Sequence, residues 1–316
     1  MGELAALISA ISWACTSVVL TSLSGRTQPV VISALRLTAA SLVLPFILLA
    51  SGQAHELAAA SAWTILSVIG SGLIGYGLGD TIYIRVLSLI GLQRAFPISS
   101  ALFITLTVLG GILVLGEPFS WGLPTGAMLI GGGVYLIVIP GRREKQHALP
   151  EVAVAEPALA GFADPPEVIR AKEPQPFLAY ALLVAVGLFW STATIWLAGA
   201  KGDVGAVALS SIRAPSGAIG LLAFGLMTQP RAVRAPFRDK RIIGAIILAG
   251  LMGTAFGSLM YVYAVVTAGA ARTAVLNATA PLMGVPLAIL FLGERFSKRT
   301  AMGTVLSVCG ILLVVL

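Results

Sequence analysis

Three charged side chains, Arg36, Asp80 and Arg213, interrupt long apolar runs in this sequence. A charge at membrane depth is expensive unless it is paired or faces a cavity, so each is a candidate for ligand binding or proton movement. Arg36 lies about two turns into its run and Asp80 about one turn from the end of the next, near the same membrane face, so the two can pair. Two readings follow: an ion pair that satisfies both charges, or a switch that responds to a proton or a substrate. Arg213 stands 177 residues after Arg36 in a matching context, but the position that corresponds to Asp80 is Ser258. Without that carboxylate, Arg213 either meets an anionic group of a substrate, or bonds carbonyls at helix ends and snorkels to the interface.

Around these charges stand rings, hydroxyls and an amide suited to line a cavity for a small polar ligand: Trp13, Thr16, Tyr76, Tyr83, Trp190, Thr194, Tyr261, Tyr263, Asn277 and Thr279. Their other reading is an interfacial belt for Trp and Tyr, and helix packing for the hydroxyls. Trp13 and Trp190 sit at mid-run, deeper than a belt places them. Pro97, followed by Ser99 and Ser100, and Pro281, preceded by Asn277 and Thr279, each free a backbone carbonyl for a ligand contact or a hinge.

Other chemistries have nothing to build on. His55 and His147 fall in loops and join no Cys/His cluster, so no metal site and no Cys-His nucleophile is expected. Cys15 and Cys309 lie within apolar runs and read as packing residues. No G-x-x-x-x-G-K-[ST] loop is present, which argues against an ATP-driven pump made of this chain alone. Neither a nucleophile-base pair nor metal ligands at membrane depth are visible, so the chain does not read as an enzyme, and no cofactor is expected. The net charge of +7 comes from short loops between apolar runs, which membrane orientation explains without nucleic acid.

The elements that position these residues are helices in a membrane. Hydrophobic residues make up 58% of the 316-residue chain and charged ones 10%, against about 25% in soluble domains. The spacing predicts ten spans, near 3–21, 29–50, 62–84, 92–115, 120–139, 177–199, 204–228, 242–266, 270–292 and 298–316. The expected fold class is all-α and polytopic. Residues 141–176 hold six of the seventeen prolines and six of the thirteen acidic residues, the composition of a flexible linker.

The segments on either side, 1–140 and 177–316, repeat one another. Trp13, Ser33 and Arg36 match Trp190, Ser210 and Arg213 at a shift of 177; Gly72, Gly75, Gly79, Tyr83, Gly91 and Arg94 match Gly250, Gly253, Gly257, Tyr261, Gly269 and Arg272 at a shift of 178. LGEPFS at 115–120 returns as LGERFS at 292–297. Five spans per copy, an odd number, insert the copies in opposite orientation, the inverted-repeat plan of many secondary transporters. Gly116 and Gly293 suit the φ > 0 end of a helix, Ser120 and Ser297 cap the next one, and Glu117 and Glu294 fall near its positive end. The Gly-x-x-x-Gly pairs 75–79 and 253–257 read as helix-packing sites.

Two five-helix halves, each with a Trp in its first helix, an Arg in its second and Gly-Glu between its fourth and fifth, resemble the EamA family of the drug/metabolite transporter superfamily. The resemblance covers everything but the linker. It implies a ten-helix carrier in the cytoplasmic membrane that moves small metabolites such as amino acids, often outward. A secondary transporter working by alternating access on a small polar or amphipathic, amino-acid-like substrate is thus the leading expectation. A non-transporting membrane scaffold or receptor of the same fold is the alternative. Sixteen basic residues fall in loops on one side and only Lys201 and Arg272 on the other, so the positive-inside rule puts the linker in the cytoplasm and both termini outside. Members of the family are usually drawn the other way up.

Overall fold

The computed structural model describes residues 1–138, 176–277, 279–280 and 298–315. Its helices of eight residues or more are α1 (Gly2–Leu23), α2 (Pro29–Ser51), α3 (Ala62–Ile90), α4 (Leu92–Leu115), α5 (Gly122–Val138), α6 (Pro176–Ala200), α7 (Ala206–Thr228), α8 (Lys240–Ala268), α9 (Ala270–Asn277) and α10 (Lys298–Val315). Seven helices among the described residues are long and apolar enough to cross a membrane: α1, α2, α3, most of α4, α6, α7 and α8. No strand occurs among the described residues, only an isolated bridge between Ser24 and Thr27. The linker expected at 141–176 lies outside the described residues up to Pro176, as do most of the ninth predicted span and the second Gly-Glu turn.

Side chains are distributed as hydrocarbon requires, with apolar bulk outside. Leu42, Phe46, Leu49, Leu113, Met128 and Phe224 are exposed, whereas Ser9, Thr16, Ser33, Ser71, Thr107, Ser191 and Ser210 are buried between helices. Small residues bring backbones close, and hydroxyls bond across them, where lipid gives no hydrophobic reason for helices to associate. Thus Ser71 Oγ donates to the carbonyl of Ala193 over 2.7 Å, and Ser191 Oγ to that of Phe103 over 3.1 Å.

The Gly-rich stretches of α3 and α8 take a form that spacing did not suggest. Gly72–Gly79 and Gly250–Gly257, which match at a shift of 178, are both π-helical. A Cβ on Gly72 would meet the carbonyl of Arg213, and one on Gly250 the carbonyl of Arg36. Close approach to the arginine-bearing helix of the other half is therefore what these two glycines permit. The packing expected of the glycines is present, in a wider helix with longer hydrogen-bonded loops. Such π segments occur often at functional sites.

The first Gly-Glu turn is a helix joint, with an unexpected partner. Gly116 closes α4 in the left-handed region at φ 66°, and Ser120 Oγ accepts from the Gly122 N–H over 3.2 Å. Glu117, however, does not serve α5, the helix that follows it. Its carboxylate accepts from the N–H groups of Ala270 and Ala271, at 2.6 and 3.0 Å, and so caps α9 from the other half. The physical reason is that the first N–H groups of a helix need acceptors, and packing brings α9 nearer to this carboxylate than α5.

Candidate functional site

Residues of α1, α2, α3, α4, α6, α7, α8 and α9 surround a cleft enclosing about 770 Å³ of empty space, part of it open to solvent. Nine of the sequence-derived candidates line it: Trp13, Arg36, Tyr76, Asp80, Trp190, Thr194, Arg213, Tyr261 and Asn277. Both π segments contribute as well, through Gly75 and Tyr76 on one side and Gly253, Thr254 and Gly257 on the other.

Arg36 and Asp80 form a buried ion pair, with side chains 1% and 4% exposed. One acceptor and one donor from the second half add to it, while the buried Arg36 Nε has no hydrogen-bond partner among the described residues. Arg36 Nη1 donates to Thr254 Oγ1 over 2.9 Å, and the Trp190 indole N–H donates to Asp80 Oδ1 over 2.7 Å. The Arg36 guanidinium also lies 6.0 Å from the Trp13 ring centroid. The expected pairing is therefore present, and it ties the first half to both Trp190 and Thr254 of the second.

Arg213 sits in a different chemical setting. Its Nε donates to Ser71 Oγ over 2.9 Å, its Nη1 to the Tyr76 hydroxyl over 3.0 Å, and its guanidinium stacks 4.3 Å from the Tyr76 ring centroid. Tyr76 in turn pairs with Ser258 Oγ. Arg213 is 4% exposed and has no carboxylate partner among the described residues. The side chain thus points inward to hydroxyls rather than snorkelling to the interface.

An aromatic cage completes the walls. Trp13 and Trp190 meet edge to face at 5.9 Å, Phe103 meets Trp190 at 6.2 Å, and Tyr261 lies 6.4 Å from Phe103. Thr194 Oγ1 fixes the Tyr261 hydroxyl at 2.8 Å. Asn277 adds a buried Oδ1 that has no hydrogen-bond partner among the described residues.

Four candidates stand elsewhere, Thr16, Tyr83, Tyr263 and Thr279. Tyr83 is fully buried behind the cage, stacked on Trp13 at 6.3 Å and tilted against Trp190 at 5.1 Å, where it supports the rings. Thr16 is buried against Gly253 and donates to the Ser12 carbonyl over 2.8 Å. Tyr263, 39% exposed, lies outside the cleft on the outer surface of α8. Of the proline-flanking hydroxyls, Ser100 lines the cleft, while Ser99 and Thr279 are buried and bond backbone carbonyls of their own turns. Residues that the sequence reading did not single out also line it, among them Ser9, Phe96, Phe103 and Thr254. Thr254 was legible in one respect, since it occupies the position that corresponds to Tyr76 in the other half.

At the membrane end that holds the N-terminus, first-half carboxylates hold second-half groups. Glu117 caps α9, Glu3 pairs with Arg272 at 3.2 Å, and Glu56 accepts from the Gly205 N–H at 2.5 Å. Cys15 and Cys309 are free thiols, and no group of three or more His, Cys, Asp or Glu able to hold a metal occurs among the described residues.

Comparison with known proteins bears on the same two halves. Residues 1–139 and 177–316 each match the EamA-like transporter family. A stretch of 146 residues is 28% identical to the uncharacterized transporter YdfC of Bacillus subtilis (strain 168), covering 46% of this chain and 45% of that one. The match thus spans less than half the length of that curated relative. A protein of known crystal structure has the same fold, with a TM-score of 0.73 over 99% of this chain and 95% of its own at 17% identity.

Proposed function

The chain belongs to the EamA-like transporter family, and from that premise we infer that it is a secondary carrier working by alternating access in the cytoplasmic membrane. The substrate in this reading is a small polar or amphipathic metabolite of amino-acid size, and its direction of movement is outward. The observation that carries the reading is the cleft itself. It lies between the two family-matched segments, combines an aromatic cage with buried charges, and has both π segments in its wall.

Ten spans in two inverted five-helix repeats are the architecture this mechanism uses. Reciprocal contacts support it: Gly72 approaches Arg213 as Gly250 approaches Arg36, and Arg36 bonds Thr254 as Arg213 bonds Tyr76. The Glu117, Glu3 and Glu56 contacts act as latches that keep one end shut while the other admits substrate. Rocking of the halves breaks these latches and forms a seal at the opposite end. No ATP site, metal or catalytic group enters the cycle.

The test is flux in proteoliposomes containing the purified full chain, with amino acids, nucleosides, sugars, organic acids and cationic drugs as cargo. Accumulation or counterflow of at least one class above protein-free vesicles is expected, and its loss on Asp80→Asn is the control for the site. No flux of any class, with orientation and folding verified, overturns the carrier reading.

A further inference from the structure

Among the described residues, the charged side chains lining the cleft are Arg36, Asp80 and Arg213, so the wall carries one positive charge in excess. Asp80 has its charge matched by Arg36 and already accepts at both oxygens, from Arg36 at Oδ2 and from Trp190 at Oδ1. The excess sits on Arg213, whose hydrogen-bond partners, Ser71 and Tyr76, are both neutral, and whose Nη2 makes no hydrogen bond among the described residues. A cation with only neutral partners in a low-dielectric site is costly, and an anion that arrives with the substrate offsets that cost.

Taking the carrier reading as its basis, we propose that this cleft selects an organic monoanion, a small carboxylate with a planar or apolar body and no required ammonium group. The carboxylate docks on the Arg213 guanidinium, which offers N–H donors in a planar fork. The body lies against Trp13, Phe103, Trp190 and Tyr261, where rings present apolar faces. Asymmetry between the halves makes the selection. At the position of Asp80 the second half has Ser258, so one arginine carries an internal counter-ion and the other takes its counter-ion from the cargo. A zwitterion would satisfy Arg213 but leave its ammonium only a neutral acceptor, Asn277 Oδ1, unpaired among the described residues, and a cation would add to the excess charge.

Three probes of one shape separate these cases: phenyllactate as monoanion, phenylalanine as zwitterion and phenylalaninamide as cation. Binding to the purified full chain is read from fluorescence, which Trp13 and Trp190 report, and from thermal stabilisation. Phenyllactate is expected to bind at least tenfold tighter than phenylalaninamide and tighter than phenylalanine. Arg213→Gln is expected to remove that preference, lowering phenyllactate affinity roughly tenfold to a hundredfold, the range of a charge-assisted hydrogen bond. Ser258→Asp supplies the missing carboxylate and is expected to reduce the preference while Arg213 remains in place. It also tests the idea if Arg213→Gln does not fold. Equal or tighter binding of phenylalaninamide, absence of binding by all three, or an unchanged preference in a folded variant would overturn the monoanion assignment and leave the carrier reading standing. Absence of flux for every cargo class would instead remove the carrier reading, whatever these probes show.

Discussion

The indole N–H of Trp190 donates to Oδ1 of Asp80 over 2.7 Å, joining the first helix of the second half to the third helix of the first. This bond, with the Arg36 contacts, makes one polar network out of residues 110 positions apart or more on either side of the linker. Trp190→Phe keeps most of the ring and removes the donor. A hydrogen bond to a charged group contributes about 1.5–3 kcal/mol, so detergent-solubilised Trp190→Phe should unfold at a lower temperature than the parent. An unchanged melting curve would show that the bond does not stabilise the fold.

Asp80 and Arg36 should behave as a unit. Removing one partner of a buried pair costs about 3–5 kcal/mol because the other charge is left behind, whereas replacing both by apolar groups is far milder. Asp80→Asn is therefore expected to be less stable than the double variant Arg36→Met with Asp80→Leu. A double-mutant cycle on thermal stability measures the coupling, and strictly additive losses would contradict it.

Glu117 supplies the acceptors for two N–H groups at the start of α9. Loss of such a cap costs about 0.5–2 kcal/mol. Glu117→Ala should destabilise by that amount and should also open the end of the molecule that holds the N-terminus. Labelling of a cysteine placed at Val204, which is buried, reads the opening, and it should rise in Glu117→Ala relative to the parent. Labelling that stays level would separate this contact from closure.

Gly72 and Gly250 each face a backbone carbonyl of the other half. Overpacking of this kind costs about 1–3 kcal/mol even where neighbours can adjust, and backbone adjusts least. Gly72→Val and Gly250→Val should both lower the yield of monodisperse protein, whereas Gly244→Val, which has open space around it, should not. Size-exclusion profiles of the three variants decide the point.

Basic residues crowd one set of loops and helix ends, including Arg231, Arg234 and Arg238 between α7 and α8 and Lys240 and Arg241 at the start of α8. The charge rule places those loops in the cytoplasm. A reporter fused after Leu316 should be active on the outer side and inactive in the cytoplasm. Cytoplasmic activity would reverse the orientation and, with it, the side to which the cleft is presented.

The sequence by itself determined the class and the cast. Runs of apolar residues fixed helices in a membrane, because length and composition decide solubility in hydrocarbon before any contact forms. Intramembrane charges and mid-span rings marked Arg36, Asp80, Arg213, Trp13 and Trp190, since such residues are rarely placed in hydrocarbon without use. The repeat even exposed Ser258 at the place of Asp80, the substitution on which the charge balance of the cleft turns. Tertiary structure decided which partner each group meets. Helical spacing fixes a side chain's direction around its own axis but not the neighbour across the gap. Thus Glu117 caps α9 rather than α5, Tyr263 faces outward while Tyr261 two residues earlier faces the cleft, and Thr254 of the other half accepts from Arg36 beside Asp80. Those outcomes depend on how the two halves dock, a property of whole surfaces that no local stretch encodes.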